Sequence, residues 1–350
     1  MLRVTRAILH VFDFESGSTY FSDAPLDLDN RQAKSYVQRH LRKTLANAES
    51  RHGEFPEESD FAGGLREYLA GEVDFVPFSL QIAQWFWEEL RRSDNLEECD
   101  LLVADFTDTG EALKAAPDAP QAAVDEAFEG EGRRYFAILL LPRKKAFIHE
   151  VGASNEILRQ DSALPNPSQK VDTYVLIDAQ TLGIDYHDKD RSVAGETVQL
   201  VPGKLLRCRE TPSSHEVIDE VTVIVQDLAE EYGLTPAVEV SRAKAAVARH
   251  ADLEETVEPA AVGRAVFEDR PEVAERFERE AQERRLPEEV PVRRGVANRL
   301  AGKHRIRTDT GIEISFPSDL ADKPGYLDFS RDQDGHIRIT ISNVASIENR

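Results

Sequence analysis

Asp185, His187, Asp188 and Asp190 crowd one short stretch, and such an oxygen-rich group is what a hard divalent cation binds. A nuclease would use that cation to activate water on a phosphodiester. No further Glu/His pair stands at a spacing that completes the site, and a polar turn after a strand accounts for the same residues. Two cysteines follow. Cys99 lies in an apolar, strand-like run, and Cys208 stands between Arg207 and Arg209 with no histidine motif near it. Flanking residues of a strand point away from the thiol, so neither cysteine reads as a nucleophile. The acidic pairs Glu57-Glu58, Glu88-Glu89 and Glu97-Glu98 are adjacent rather than placed across a cleft. No Gly-rich phosphate loop, dinucleotide fingerprint or nucleophile elbow is present. Nothing in the chain asks for an enzyme.

Positive charge is the other chemistry available. Arg293, Arg294, Arg299, Lys303, Arg305 and Arg307 form the densest basic run and the first choice for contact with nucleic acid. Arg143, Lys144 and Lys145 make a second group at an expected loop tip. Arg39, Arg42 and Lys43, with Arg31 and Lys34, crowd one helix. For each the plain alternative is a solvated face or an ordinary basic turn. The whole chain is acidic: 350 residues carry 43 Lys and Arg against 65 Asp and Glu, a formal charge of −22. That field repels a polyanion at long range, so any phosphate contact has to be local, or association has to run through a protein. A high-GC genome or a saline cytoplasm would produce the same bias without functional meaning.

The elements that would hold these residues follow from pattern. Residues 2–14 read as a strand. Asp29-Asn30 cap an expected helix over 31–51, whose stripe is Ala33, Val37, Leu41, Thr44 and Ala48. Shorter helices follow at 61–70, stopped by Gly71, and at 77–92. Trp85, Phe86 and Trp87 give the latter an aromatic face suited to a core or a dimer seam. Residues 99–106 and 135–141 are near-continuous apolar strands, the second paired in a hairpin with 146–151; 111–132 reads as a surface insertion. A further buried strand covers 170–179. Ser213 and Glu216 form a capping box for a helix that would pack on the sheet and end at Tyr232-Gly233. Beyond Gly233, helices begin at Ala237, Pro259 and Pro271, the last with Glu/Arg pairs at i,i+4, each about 0.3–0.5 kcal/mol when exposed. A linker over 286–292 leads to a C-terminal antiparallel module. There Ile312, Ile314 and Phe316, then Ile337, Ile339 and Ile341, recur at period two, with Asp334-Gly335 as the turn.

Those ending motifs, with DFSRDQDGHIRITISNVASI at 328–347, resemble the end of the bacterial nucleoid-associated (NdpA-like) family. Thr5-Arg6-Ala7-Ile8-Leu9-His10 resembles that family's first strand, and LLVADF, YFAILLL and LPNPSQKVDTYVLID fall in its order. The resemblance implies a non-enzymatic protein of the nucleoid that binds double-stranded DNA with little sequence preference, without a cofactor. The alternative is an acidic adaptor reaching the nucleoid through a protein such as a topoisomerase or a defence complex; a metal-dependent nuclease is third. The expected fold is α+β: a mixed α/β domain over 1–233, a helical segment over 234–292 and a β module over 293–350. With no long apolar run, no cleavage-site pattern at the N-terminus and two distant cysteines, the expected place is the cytoplasm and its nucleoid, as a homodimer.

Overall fold

A computed structural model of the chain describes residues 2–109, 132–151, 155–323, 325–331 and 336–347. It divides into two units, residues 1–211 and 212–350. The expected insertion at 111–132 lies almost wholly outside the described residues, as does the Asp334-Gly335 turn.

The first unit is built on an eight-stranded sheet. In chain order its elements are β1 (Leu2–Asp13), β2 (Ser18–Tyr20), α1 (Arg31–Leu45), β3 (Arg51–Glu54), α2 (Asp60–Ala70), α3 (Phe75–Leu90), β4 (Cys99–Asp108) and β5 (Arg133–Pro142). Then come β6 (Lys144–Val151), β7 (Asn155–Ala163), β8 (Tyr174–Asp178), β9 (Ile184–His187), β10 (Arg191–Val193), β11 (Glu196–Val198), a π-helical turn at Val201–Leu206, and β12 (Arg209–Thr211). The sheet runs β12-β3-β9-β8-β5-β4-β1-β2, antiparallel at each pairing.

Both faces of this sheet are covered, which is why β4 and β5 are continuously apolar rather than alternating. Against one face, Phe75, Phe78, Ile82 and Phe86 of α3 and Leu65 and Tyr68 of α2 bury Ile8, Leu101, Val103, Phe136 and Ile138. Against the other, Val37, Leu41 and Leu45 of α1 bury Leu2, Val4, Leu102, Ala104, Leu139 and Leu176. The aromatic face of α3 is therefore core within its own unit. Helix α1 is shorter than its periodicity suggests. Asn47 turns the chain, accepting from Ser50 N–H through its carbonyl and donating from Nδ2 to Tyr174 Oη at 2.8 Å. Residues 51–54 thereby become a strand between β9 and β12. Gly53 fits there because a Cβ would lie 2.9 Å from Cys208 Sγ.

One pairing differs from expectation. β5 does not form a hairpin with β6, because both its edges are taken, by β4 and by β8. With no edge to join, β6 pairs with β7 in a separate two-stranded ribbon.

The second unit starts at Pro212, so the helix capped by Ser213 and Glu216 belongs to it and not to the sheet domain expected over 1–233. That helix, α4 (Ser214–Glu231), turns Val217, Val221, Ile224 and Leu228 inward and packs on α5 (Pro236–Glu254), α6 (Pro259–Val266) and α7 (Pro271–Glu283). Gly263 of α6 meets Phe277 of α7 so closely that a Cβ would stand 2.2 Å from the ring. The expected linker is partly strand: β13 (Thr256–Val257) pairs with β14 (Val290–Pro291), and Val290 and Val292 are buried. α8 (Arg294–Ala301) follows, then β15 (Lys303–Arg307) paired with β16 (Glu313–Pro317). Ser318–Asp322 forms a 3-10 turn, and β17 (Leu327–Arg331) pairs with β18 (Ile337–Ile341). The helices and both C-terminal hairpins share one compact unit, where separate segments over 234–292 and 293–350 were expected. β15 touches α5 and α8, and the 3-10 turn rests on α5.

Period two correctly places Leu327, Phe329, Ile339 and Ile341 on one side of β17–β18, with Asp328, Ser330, Arg338 and Thr340 on the other. Only part of that apolar side is covered. Leu327 is buried, Phe329 approaches Phe316 with ring centroids 6.5 Å apart, and Ile337 and Ile341 stay exposed. The α+β class holds for the whole.

Candidate nucleic-acid interface

The side chains of the acidic stretch at β9 are engaged with other protein groups. Asp185 Oδ1 lies 2.6 Å from His52 Nδ1. His187 Nδ1 donates to the Asp172 carbonyl at 2.8 Å. Asp188 is fully buried and saturated, accepting from Arg191 at 2.7 Å, Thr173 Oγ1 at 3.0 Å and the Val201 N–H at 2.7 Å. Asp190 accepts from Gln199 at 2.9 Å. These carboxylates hold strand ends together and face different partners. Among the described residues, no three His, Cys, Asp or Glu side chains converge on a point a metal could occupy. The nuclease reading loses its site.

The cysteines are likewise spoken for. Burial, with Asp100 adding to it, pushes the Cys99 thiol up to about 12, and burial with Glu210 raises Cys208 to about 11. Both are thiols at neutral pH, not nucleophiles. The acidic pairs are ionic anchors: Glu88 to Arg91 at 2.7 Å, Glu89 to Arg92 and Lys204 at 2.8 Å each, and Glu97 to Lys189.

The basic groups separate when placed. Arg143 is not at a loop tip. Its side chain is 10 % exposed, donates to the Phe12 carbonyl at 2.8 Å, pairs with Glu98 and lies 3.4 Å from Asp100. Burial nevertheless raises Asp100 to about 6. Lys144 and Lys145, next along the chain, are exposed at the base of the β6–β7 ribbon. On α1, Lys43 donates to the Ser168 carbonyl, while Arg31, Lys34, Arg39 and Arg42 are exposed. Arg31, Ser35, Arg39 and Arg42 sit at i, i+4, i+8 and i+11, one side of the helix, opposite the apolar stripe on the sheet. Asn30 caps this helix, its side chain accepting from Gln32 and Ala33 N–H, and Arg42 and Lys43 lie in the last turn where the helix dipole favours cations.

The densest run divides in two. Arg294 is paired with Asp252 at 2.7 Å, Arg293 is the N-cap of α8 with its carbonyl accepting from Val296 and Ala297, and Arg293 and Arg299 both have further interactions. On β15, strand alternation turns His304 inward and Lys303, Arg305 and Arg307 outward. The three cations are exposed, about 6.7 Å apart along the strand. Inside, His304 meets Phe316 edge-on with centroids 5.5 Å apart; burial and nearby Lys244 lower its pKa to about 4, so the imidazole is neutral. Sequence spacing alone does not separate Arg293 and Arg294 from this outward row, since the division depends on where α8 ends and β15 begins.

These features define a class: an acidic α+β protein of two units, without an assembled catalytic centre among the described residues, whose open cations lie in local rows. The chain belongs to the family described as nucleoid-associated protein YejK, whose profile matches residues 8–349. No curated protein matches the chain. No helix among the described residues is long and apolar enough to cross a membrane.

Proposed function

We propose that this protein binds double-stranded DNA with little sequence preference and performs no chemistry on it. The observation that supports this reading best is the row of Lys303, Arg305 and Arg307 on the open side of β15. Three exposed cations along one strand, with Glu313 of β16 opposite Arg307, neutralise phosphates and release their counterions, while the base edges go unread. Arg31, Arg39 and Arg42 on α1, with Lys144 and Lys145, offer two further local patches. The remaining field of a −22 chain opposes approach, and the salt dependence of binding comes from the counterions released at the phosphate contacts themselves. A homodimer would double the contacts, and the open apolar side of β18, with Ile337 and Ile341, is a surface on which copies could associate.

The test is charge reversal. Lys303→Glu, Arg305→Glu and Arg307→Glu together should weaken binding to a random-sequence duplex at least about a hundredfold at low salt, since each lost phosphate contact also removes its counterion release. Unchanged affinity would remove β15 from the interface.

The second reading is an acidic adaptor recruited through a protein. The overall charge favours it, and so does that half-covered apolar side. Its signature is a partner retained from nuclease-treated lysate by protein that shifts no duplex of its own.

A further inference from the structure

β18 pairs with β17 on one side, and no described strand lies along its other edge. Which groups that edge presents follows from the register. The Ser342 N–H donates to the Tyr326 carbonyl at 3.0 Å, so the hydrogen-bonded pairs of the hairpin recur at Asp328/Thr340 and Ser330/Arg338. The residues between them on β18, Ile337, Ile339 and Ile341, turn their N–H and C=O groups to the open edge. Ile337 and Ile341 are exposed as well, at 53 % and 58 %. Open backbone groups and apolar side chains on one strand make a template for another strand. The usual guards are few: the strand has no Pro and no Lys, its pairing has no bulge, and Arg338 is its one charge.

The strand's own sequence says which strand fits. Ile-Arg-Ile-Thr-Ile is symmetrical in polarity about Ile339. Two copies laid antiparallel about a twofold axis at Ile339 set Ile339 opposite Ile339, and Ile337 opposite Ile341 of the second copy. All three isoleucines then exchange N–H···O=C bonds with the second copy, and their side chains meet on one side of the seam. On the polar side Arg338 meets Thr340 of the second copy, so no like charges face each other. Asp328, Thr340, and Arg338 and Ser330 of the second copy form one row across four strands, with opposite charges about 9.6 Å apart. Asp328 and Arg338 are both exposed in the single chain. Other registers fit less well. Centring on Arg338 sets arginine against arginine, and centring on Thr340 puts Ile337 opposite Asn343, outside the strand. Odd shifts set the open groups of one copy against residues whose groups point to β17.

The geometry points to a four-stranded sheet continuous across two copies of this chain, with β18 against β18. A twofold contact of this kind closes, since each copy spends its β18 edge on the other. The contact itself owes nothing to DNA. Where the DNA-binding reading holds, it brings two β15 rows into one particle.

The experiment is analytical ultracentrifugation of the full chain, free of nucleic acid, from about 1 to 200 µM, since a contact of five residues per copy is small and reversible. A monomer–dimer equilibrium is expected. Thr340→Arg places two arginine pairs across the seam and should raise the dimer dissociation constant about tenfold. Adding Arg338→Asp turns both into Arg–Asp pairs and should return the constant to the parent value or below. In the parent, amide exchange at Ile337, Ile339 and Ile341 should slow as the dimer forms, a readout that needs no variant. A parent that stays monomeric overturns the seam. So does a dimer indifferent to Thr340→Arg, a double variant as weak as the single one, or edge amides that exchange equally fast in monomer and dimer. None of these outcomes touches the DNA-binding reading, which the duplex measurements test separately.

Discussion

Arg143 and its neighbours Lys144 and Lys145 show how far adjacent cations can differ in role. The Arg143 fork is spent inside the fold on Glu98, Asp100 and the Phe12 carbonyl, tying the ends of β1, β4 and β5 together. Replacing one partner of a buried pair strands the other charges without water. Arg143→Ala is therefore expected to lower stability by about 3 kcal/mol in urea denaturation, whereas Lys144→Ala with Lys145→Ala should leave the midpoint unchanged. Equal midpoints for the two variants would contradict this placement. The sequence presents the three as one basic turn. What separates them is the edge occupancy of β5, a long-range fact that local pattern does not carry. Asp188 teaches the same lesson from the acidic side, since its saturation depends on Thr173 and Val201, both remote from the stretch that suggested a metal.

Elements were legible where period and cap chemistry agree. The Asn30 cap, the Gly71 stop in left-handed conformation and the Ser213/Glu216 box are all where the sequence places them. Less legible was what each element packs against: α4 has an apolar stripe that suits a sheet, yet it lies on three helices. Buried histidines behind three elements set an acid limit on the fold. His10 of β1 accepts from the Ser22 N–H through Nδ1 and contacts Ser79 at 3.2 Å, and burial lowers its pKa to about 4. Burial does the same to His40 of α1, packed against Tyr36, and to His304 of β15. Each imidazole binds its proton more readily unfolded, near pH 6.5, than folded. Their stabilisation is thus complete above about pH 6.5 and is lost as pH falls towards 4, with roughly 1–3 kcal/mol at stake for each. Asp100 runs the other way over part of that window: its raised pKa means the folded state gains a proton as pH falls through about 6, a smaller compensation from one group against three. Urea midpoints at pH 7, 5.5 and 4.5 should fall in that order; a midpoint that holds or rises on acidification would contradict the account.

At the scale of the whole molecule, the problem is how a chain of charge −22 belongs to a nucleoid-associated family. The fold offers one physical answer. Some of the acids are used in pairs that fasten surface elements, as Glu220 and Asp227 do around Arg284, while cations are exposed on β15 and along α1. Fixed cation rows on an acidic body give contact at short range and repulsion at long range. On the proposed DNA-binding reading, weak binding that is readily reversed by salt is the expected outcome of that balance. The most direct measurement is fluorescence polarisation of a labelled random-sequence duplex titrated with the protein across a salt series. The account predicts an affinity whose logarithm falls linearly with the logarithm of salt, with a slope of about −3 or steeper, since each of the three β15 cations contributes about −0.9. No binding at the lowest salt, or an affinity indifferent to salt, would contradict direct phosphate contact and leave a protein partner as the route to the nucleoid.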